Sequence, residues 1–283
     1  MRPITEKQID VLPLAVIEPE CGWKGIGLRD IWAYRELLWV LVARDVLVRY
    51  KQTSFGILWA VIQPTFHMVL FTLIFGRLAK MPSEGVPYAL FSYAALLPWA
   101  YFSGAFNRVT GSMVGARHLI TKVYFPRLII PLSGTLSPLV DFFVAFSVLV
   151  VLMIYFGATP LWGIVLLPAF LLLAWATALG TGLWFAAINV HYRDVGHTLP
   201  FVTQLWMYAT PIVYPASLFP EWVRPYLGLN PMSGVVEGFR WALLHRGTPP
   251  GPEIAVSVAV AVVLLISGVF FFKRMERSFA DVV

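Results

Sequence analysis

The sequence predicts an all-α polytopic membrane protein with six transmembrane helices, an N-terminal interfacial helix and a re-entrant external segment before the last helix. Composition supports this class, because 59% of the residues are hydrophobic and 13% are charged, whereas soluble domains carry about 25% charged residues. Residues 52–76 contain no Asp, Glu, Lys or Arg, and about 20 apolar residues cross a bilayer as a helix. Such continuous runs exclude a transmembrane barrel, whose strands alternate over roughly ten residues.

Charged and apolar residues divide the chain into four parts. Residues 1–27 are polar and predict a cytoplasmic N-terminal arm. Residues 28–50 mix charged and apolar side chains, and their longest apolar run, 37–43, is too short to span a bilayer. We therefore expect an amphipathic helix that lies at the membrane interface. Residues 51–273 form the six-helix transmembrane domain, and residues 274–283 form a cytoplasmic tail.

The apolar runs predict where each helix crosses the membrane. The six spans are residues 55–75, 87–110, 131–156, 161–188, 198–214 and 254–272. Seven prolines interrupt the chain between residues 215 and 252, after the fifth span. Half-apolar stretches that proline breaks in this way predict re-entrant or interfacial helices. A plain folded external loop is the alternative.

The distribution of lysine and arginine predicts the orientation. Six spans place both termini on one side, and that side carries sixteen of the 21 basic residues while the other carries five. Because loops rich in Lys and Arg stay inside, both termini are expected to be cytoplasmic. No apolar stretch within residues 1–30 is long enough for a signal-peptide core, so we expect the N-terminus to be retained. A lone cysteine, Cys21, excludes an internal disulfide framework.

Several chemistries have no support in the sequence. No Gly-Lys dipeptide occurs, so a phosphate-binding loop for ATP is absent. The metal-binding motifs of proteases and transferases are also absent, and we expect no cofactor in this chain and no nucleic-acid partner. Asp141 is the only acid well inside a span, whereas proton-coupled carriers usually use several ionisable groups. These observations favour a membrane pathway that receives its energy from another protein.

A set of short motifs follows an order that is typical of one transporter family. The first group is Arg44-Asp45, Arg49-Tyr50-Lys51-Gln52-Thr53, Gly56, Trp59 and Gln63-Pro64. The later groups are Leu96-Leu97-Pro98-Trp99, the run from Leu119 to Arg127, Tyr192-Arg193-Asp194, the run from Thr210 to Tyr214, and Asn230-Pro231. Together they resemble ABC type-2 permeases that export O-antigen, capsular polysaccharide or teichoic acid. The resemblance covers residues 28–278.

This resemblance implies a homodimer in the bacterial cytoplasmic (inner) membrane, surrounded by membrane lipids. It also implies two separate ATP-binding cassette subunits, which hold ATP and Mg²⁺ on the cytoplasmic face, and a lipid-linked glycan as the substrate. Two alternatives stay open. One is a type-2 exporter of drugs or small lipids, and the other is a membrane-embedded glycosyl- or acyltransferase.

The first candidate site is a surface for coupling to the ATPase. The charge-free run of the second span ends at Asn107, and we expect Arg108 to belong to the basic loop that follows. In the resembling family, this loop forms a coupling helix. The candidates are Arg117, His118, Leu119, Lys122, Tyr124 and Arg127, with His191, Arg193 and Asp194 from the loop after the fourth span. The interfacial helix would contribute Arg35, Arg44, Asp45, Arg49, Tyr50 and Lys51. The alternatives are loops that contact anionic lipid and, for residues 191–194, a helix cap.

The second and third candidates are the translocation path and an outer gate. Sugars stack on aromatic rings, so the path candidates are Trp59, Phe66, Tyr101, Phe106, Trp206, Tyr208 and Tyr214, together with Asp141. Aromatic residues also mark bilayer interfaces in any membrane protein, and Asp141 is alternatively bonded to a serine, histidine or glutamine of another span. The gate candidates in the re-entrant segment are Glu221, Trp222, Arg224, Glu237 and Arg240.

Overall fold

The computed structural model describes residues 28–51, 53–120, 122–159, 162–192, 194–244 and 251–282. Every regular element in those ranges is helical, which confirms the all-α prediction. The elements are α1 (Leu28–Ala33), α2 (Arg35–Tyr50), α3 (Gly56–Leu78), α4 (Tyr88–Gly115), α5 (Arg117–Ile120), α6 (Ile129–Tyr155), α7 (Trp162–His191), α8 (Asp194–Ala209), α9 (Arg224–Leu227), α10 (Pro231–Leu244) and α11 (Pro252–Val282). The predicted N-terminal arm lies outside the described residues.

Five helices are long and apolar enough to cross a membrane, namely α3, α4, α6, α7 and α11. They match the first, second, third, fourth and sixth predicted spans. The fifth predicted span holds α8, which has 16 residues and a length of about 24 Å, less than the roughly 30 Å of a bilayer core. The count of six spans therefore stays a prediction. Helix α11 continues without a break into the segment that we expected to be a tail.

Helix α4 lies at the centre of the bundle. It packs against α3, α6, α7 and α10, and the neighbouring α7 also packs against α11. Apolar and aromatic residues are buried all round α4, which is typical of an interior helix. The helix runs five residues beyond the predicted end of the second span, to Gly115. Arg108, which we expected to belong to the basic loop that follows, lies inside α4.

The two ends of the bundle differ in character. We call the end that holds residues 116–128 the basic end, and the opposite end, which holds residues 79–87 and 210–230, the distal end. At the basic end, Asn189 donates a hydrogen bond to the carbonyl of Thr110 at 3.1 Å, which ties the last turns of α7 and α4 together. At the distal end, the hydroxyl of Tyr88 donates to the carbonyl of Val213 at 2.6 Å.

Helices α7 and α11 approach so closely that only glycine fits where they cross. A Cβ atom added to Gly268 would lie 2.2 Å from the carbonyl oxygen of Gly180, and one added to Gly180 would lie 2.6 Å from the backbone of Leu264. Small residues permit this kind of backbone contact between membrane helices. Next to the crossing, Trp184 and Phe271 stack with ring centroids 4.0 Å apart. The crossing fixes α11 against the core.

Replacing Gly268 by alanine should destabilise the bundle, because the added methyl group overlaps a backbone atom that has no freedom to move. Overpacking of this kind costs about 1–3 kcal/mol, and we expect a lower melting temperature in detergent. Gly111→Ala is the matched control, since a Cβ atom there meets nothing within 4 Å and alanine favours a helix by about 0.5–1 kcal/mol over glycine. Equal melting temperatures for G268A and G111A would contradict the tight crossing.

Candidate functional site

The basic end presents a short exposed segment between α4 and α6. Arg117, His118 and Lys122 are exposed, and Tyr124 is 78% exposed. Leu119 is half-buried and packs against the core at this end, and the buried ring of Phe125 anchors the other side of the segment. The segment therefore exposes cations and a tyrosine, while its apolar side chains pack into the core at this end of the bundle.

Arg127 is engaged differently from the other candidates in this segment. Its guanidinium donates to the backbone carbonyl of Glu276 in α11 and lies 4.0 Å from the carboxylate of the same residue. Both side chains are largely buried, at 22% and 28% exposure. Arg127 thus holds α11 against the loop, and the structure gives it a positioning role inside the chain.

The loop after α7 reaches the same end of the bundle. His191 is half-buried and its Nδ1 atom lies 3.3 Å from the carbonyl of Ala187, one turn earlier. Asp194 is exposed and opens α8, where an acidic side chain complements the positive end of the helix dipole. Both arrangements agree with the helix-capping alternative for this loop. The third candidate, Arg193, lies outside the described residues.

An ion pair joins the interfacial helix to the inside of the bundle. Helix α2 packs along α6, and the guanidinium of Arg49 at the end of α2 pairs with the carboxylate of Asp141 in α6. The alternative for Asp141, a hydrogen bond to a serine, histidine or glutamine of another span, was wrong about the partner, because the carboxylate pairs with an arginine of α2. Burial lowers the pKa of the Arg49 guanidinium, but arginine stays charged throughout the physiological range.

The other candidates in and beside α2 have local partners or none among the described residues. Arg35 donates to the carbonyl of Trp32 at 3.3 Å and lies over its ring. Arg44 pairs with its neighbour Asp45 at 2.8 Å. Lys51 is exposed. The hydroxyl of Tyr50 is buried and has no hydrogen-bond partner among the described residues.

The predicted path residues fall into an exposed and a buried group. Trp59 and Phe66 on α3 are 43% and 65% exposed, and Tyr208 on α8 is 49% exposed. By contrast, Tyr101 and Phe106 on α4 are buried at 2% and 0% exposure, so they belong to the core of the chain. Two remaining candidates are half-buried and hydrogen-bonded, Trp206 to the side chain of Asn230 and Tyr214 to the carbonyl of Tyr208.

Arg240 is the centre of the distal end. Its side chain is 1% exposed, and its NH1 and NH2 atoms donate to the carbonyls of Pro211 and Ile212, each at 2.6 Å. The same guanidinium pairs with Glu237 at 2.9 Å and lies 3.6 Å from the ring centroid of Phe91. It thereby satisfies the carbonyls that are left without helical partners where the chain turns after α8. Desolvation raises the pKa of Glu237, and the nearby charge of Arg240 opposes that rise.

Both ends of α10 lie at the distal end. Trp241 near its C-terminus packs edge-on against Trp162 at the start of α7, with ring centroids 5.2 Å apart. At its start, a Cβ atom on Gly234 would touch Ser257 in the first turns of α11. Asn230 caps α10 by accepting a hydrogen bond from the backbone N–H of Met232 at 3.1 Å. This placement is what a re-entrant helix requires, since α10 enters the bundle without crossing it.

The remaining gate candidates lie on the outer side of α10. Glu221 and Trp222 are exposed in the turn before α9, and Trp222 is 74% exposed. Arg224 is half-buried and donates to the carbonyls of Phe219 and Ser217 at 3.1 and 3.3 Å. The structure therefore separates the five candidates into a buried pair, Glu237 and Arg240, and a peripheral group.

The sequence matches the model of the ABC-2 type transporter family over residues 36–244. The chain belongs to this family. The O-antigen export system permease protein RfbA of Myxococcus xanthus is 32% identical over 256 residues, which cover 90% of this ABC-2 chain and 98% of that protein. An RfbA from Klebsiella pneumoniae is 27% identical over 255 residues, covering 88% and 95%. The polysialic acid transport protein KpsM of Escherichia coli is 24% identical over 244 residues, covering 84% and 93%.

Sequence reasoning overlooked two charged features of this ABC-2 chain. The pairing of Arg49 with Asp141 was missed, although an intramembrane acid calls for a counter-ion and Arg49 is the last arginine before the first span. Arg108 was assigned to a loop because it ends an uncharged run. In the described ranges, no group of three His, Cys, Asp or Glu residues could hold a metal ion. The expectation that this chain carries no cofactor stays a prediction.

Removing one partner of the ion pair between Arg49 and Asp141 should destabilise the chain. Arg49→Gln leaves a carboxylate inside α6 without its counter-ion, and we expect a loss of about 1–2 kcal/mol. This is less than the 3–5 kcal/mol of a fully buried pair, because the Arg49 side chain is 39% exposed. The measurement is a double-mutant cycle with Asp141→Asn by thermal unfolding in detergent. Arg35→Gln, on the exposed face of α2, serves as the control, and strictly additive losses would refute the pairing.

Replacing Arg240 by methionine should cost about 3–5 kcal/mol, because it leaves Glu237 and several carbonyls unpaired in an apolar setting. Without Arg240, the charge that opposes the effect of burial is lost, and desolvation, with a smaller contribution from the charge of Glu84, raises the pKa of the Glu237 carboxyl further. A carboxyl group whose pKa is higher in the folded than in the unfolded state contributes fully to stability below the unfolded-state pKa. That contribution is lost as the pH rises through the folded-state pKa. The R240M defect should therefore be smaller at pH 5 than at pH 8 in thermal unfolding.

The control for that experiment is the double variant Arg240→Met with Glu237→Gln. It lacks the carboxyl group, so its stability relative to the wild type should depend less on pH. If R240M were as stable as the wild type at pH 8, the guanidinium would not be the group that holds the broken segment.

Proposed function

We propose that this chain is the permease subunit of an ATP-driven exporter that moves a lipid-linked polysaccharide, of the O-antigen or capsule type, outward across the bacterial cytoplasmic membrane. Membership of the ABC-2 family is the observation that carries the proposal. The relatives' names point to O-antigen and polysialic acid, so they favour a glycan over a drug or a small lipid.

In this proposal, energy comes from two ATP-binding cassette subunits that bind ATP and Mg²⁺. The basic end faces the cytoplasm together with both termini, and its segment from Arg117 to Tyr124 is the contact for the ATPase. Two features support the segment in this role. It exposes cations and an aromatic ring, and it continues directly from α4, the central helix, with one turn residue between α4 and α5. Movement of α5 would therefore act on the core of the permease.

Two copies of the chain would form the pathway at their shared interface. The exposed aromatic residues support α3 and α8 as the helices that line it, because Trp59, Phe66 and Tyr208 present stacking surfaces outside the protomer core. The buried residues Tyr101 and Phe106 have no place in this path. The segment of α9 and α10 would close the outer exit, with Arg240 holding its position.

Charge reversal in the coupling segment tests the proposal. In a variant carrying Arg117→Glu and Lys122→Glu, the substrate-stimulated ATPase activity of the assembled complex should fall by about tenfold or more. The reason is that charge reversal at a docking surface costs several kcal/mol. The measurements are ATP hydrolysis in reconstituted vesicles and co-purification of the ATPase subunits.

The matched control is Arg77→Glu, an exposed arginine at the end of α3, on the distal side of the bundle. It changes the net charge by the same sign but lies away from the proposed contact, so stimulation should persist. If the double variant kept full stimulation, the segment would be an ordinary positive loop on anionic lipid. If the purified complex transported drugs or small lipids and no lipid-linked glycan, the substrate class would be wrong.

A further inference from the structure

A polar cavity lies between α2, the last turns of α4 and the start of α6. Its volume is about 320 Å³, which is large enough to hold several water molecules. Two arginines, one carboxylate and a group of small residues line it, among them Arg44, Asp45, Arg108, Gly111, Gly115 and Gly134. We call it the Arg108 cavity. It opens at the basic end, since Arg108 lies seven residues, or about 10 Å, before the end of α4.

The charges around the Arg108 cavity do not balance. Arg44 pairs with Asp45 through two hydrogen bonds, at 2.8 and 3.1 Å, and Arg49 pairs with Asp141. No ion pair or side-chain hydrogen bond to Arg108 occurs within the described ranges, where the charges that act on it are those of Arg49 and Asp45. The lining therefore holds two guanidinium groups and one carboxylate, and among the described residues Arg108 is the cation of this region without a direct partner.

An arginine inside a spanning helix is unfavourable unless a partner compensates its charge. Arg108 is half-buried, and its five N–H groups can bind a phosphate in bidentate fashion. The excess of positive charge disfavours a metal ion, and the arginine and carboxylate lining disfavours an acyl chain. The chemistry that completes this cavity is an anion with several oxygen acceptors.

Glycines keep the cavity open. A Cβ atom on Gly111 or Gly115 would meet nothing within 4 Å, and the two residues lie one turn apart on the same face of α4. Inside the protomer these glycines pack against no neighbour among the described residues. They leave free space beside Arg108 and allow an occupant to approach the backbone of α4.

We propose that the Arg108 cavity binds the phosphate or pyrophosphate headgroup of the lipid carrier that bears the glycan. This inference rests on the proposed function, in which the substrate is lipid-linked and enters from the cytoplasmic side. The depth of Arg108, about two turns inside α4, suits a headgroup whose lipid chain remains in the bilayer. The guanidinium of Arg108 binds the headgroup directly, and Arg44 lies at the exposed mouth, where its side chain is 51% exposed.

The test measures the binding of farnesyl pyrophosphate to the purified permease with its ATPase subunits, in neutral-lipid vesicles and without ATP. Arg108→Gln removes the charge, and the loss of one charged contact should weaken binding about tenfold to a hundredfold. Gly111→Leu keeps Arg108 but fills the cavity, so it should weaken binding to a similar extent. Arg77→Gln at the distal side is the control and should bind like the wild type.

Competing ligands identify the group that is recognised. Inorganic pyrophosphate should displace the probe, whereas farnesol, which lacks the phosphates, should not bind. If vesicles containing phosphatidylglycerol displaced the probe equally well, the cavity would hold a resident membrane lipid and the carrier assignment would be overturned. If R108Q and G111L both bound the probe as tightly as the wild type, the site itself would be overturned. The same conclusion would follow if G111L lost dimerisation but bound the probe normally.

A second readout separates this inference from the proposed function. The ATPase activity of the wild-type complex should rise with the native lipid-linked glycan, and R108Q should need about tenfold more substrate for half-maximal stimulation. Equal stimulation of both proteins would remove the Arg108 cavity from the mechanism and leave the proposed function intact. No stimulation of the wild type would overturn the proposed function, and this site with it.

Discussion

The distal half of this protein depends on one buried guanidinium. Helix α8 ends at Ala209, and the backbone then turns through residues 210–214 among buried apolar side chains. Carbonyl groups in such a place have no helical partner, and an apolar environment makes unpaired groups costly. Arg240 supplies the missing donors from α10 and is itself balanced by Glu237 and the face of Phe91. Because a single side chain joins α4, α10 and the turn after α8, the broken segment is a defined structure.

At the basic end, too, charged groups that are removed from water need partners, but there one cation has no direct partner among the described residues. There the charges come from α2 and α4, and each carboxylate within reach is used once, by Arg44 or by Arg49. The distal network is closed, because its cation meets a carboxylate, carbonyls and a ring inside the chain. At the basic end, Arg108 has no direct partner among the described residues and lines an open cavity. A closed network favours a fixed structural element, whereas an open one favours a place where a ligand completes the set.

The positions of the long helices were predictable because they depend on local properties. An uncharged run and the charges that stop it lie next to each other in the chain, so five predicted spans begin within a few residues of a long apolar helix. The neighbours of individual side chains were not predictable in this way. Asp141 pairs with Arg49, which lies 92 residues away, and Tyr101 is buried because α6 covers it. Arg108 was misplaced because a charge can end an apolar run without ending the helix.

Helix α4 connects the two networks as one continuous helix, with Pro98 inside it. Near the start of α4, Phe91 contacts Arg240 at the distal end. Near its end, Arg108 lines the Arg108 cavity, and the exposed helix α5 follows α4 directly. Its interior is packed against α3, α6, α7 and α10, and a packed helix moves as a body because its side chains leave no free space to deform into. A displacement of α5 would therefore be carried along α4 to the contact between Phe91 and Arg240. Arg240, which holds the broken segment at the distal end, thus contacts the end of α4 that lies opposite α5.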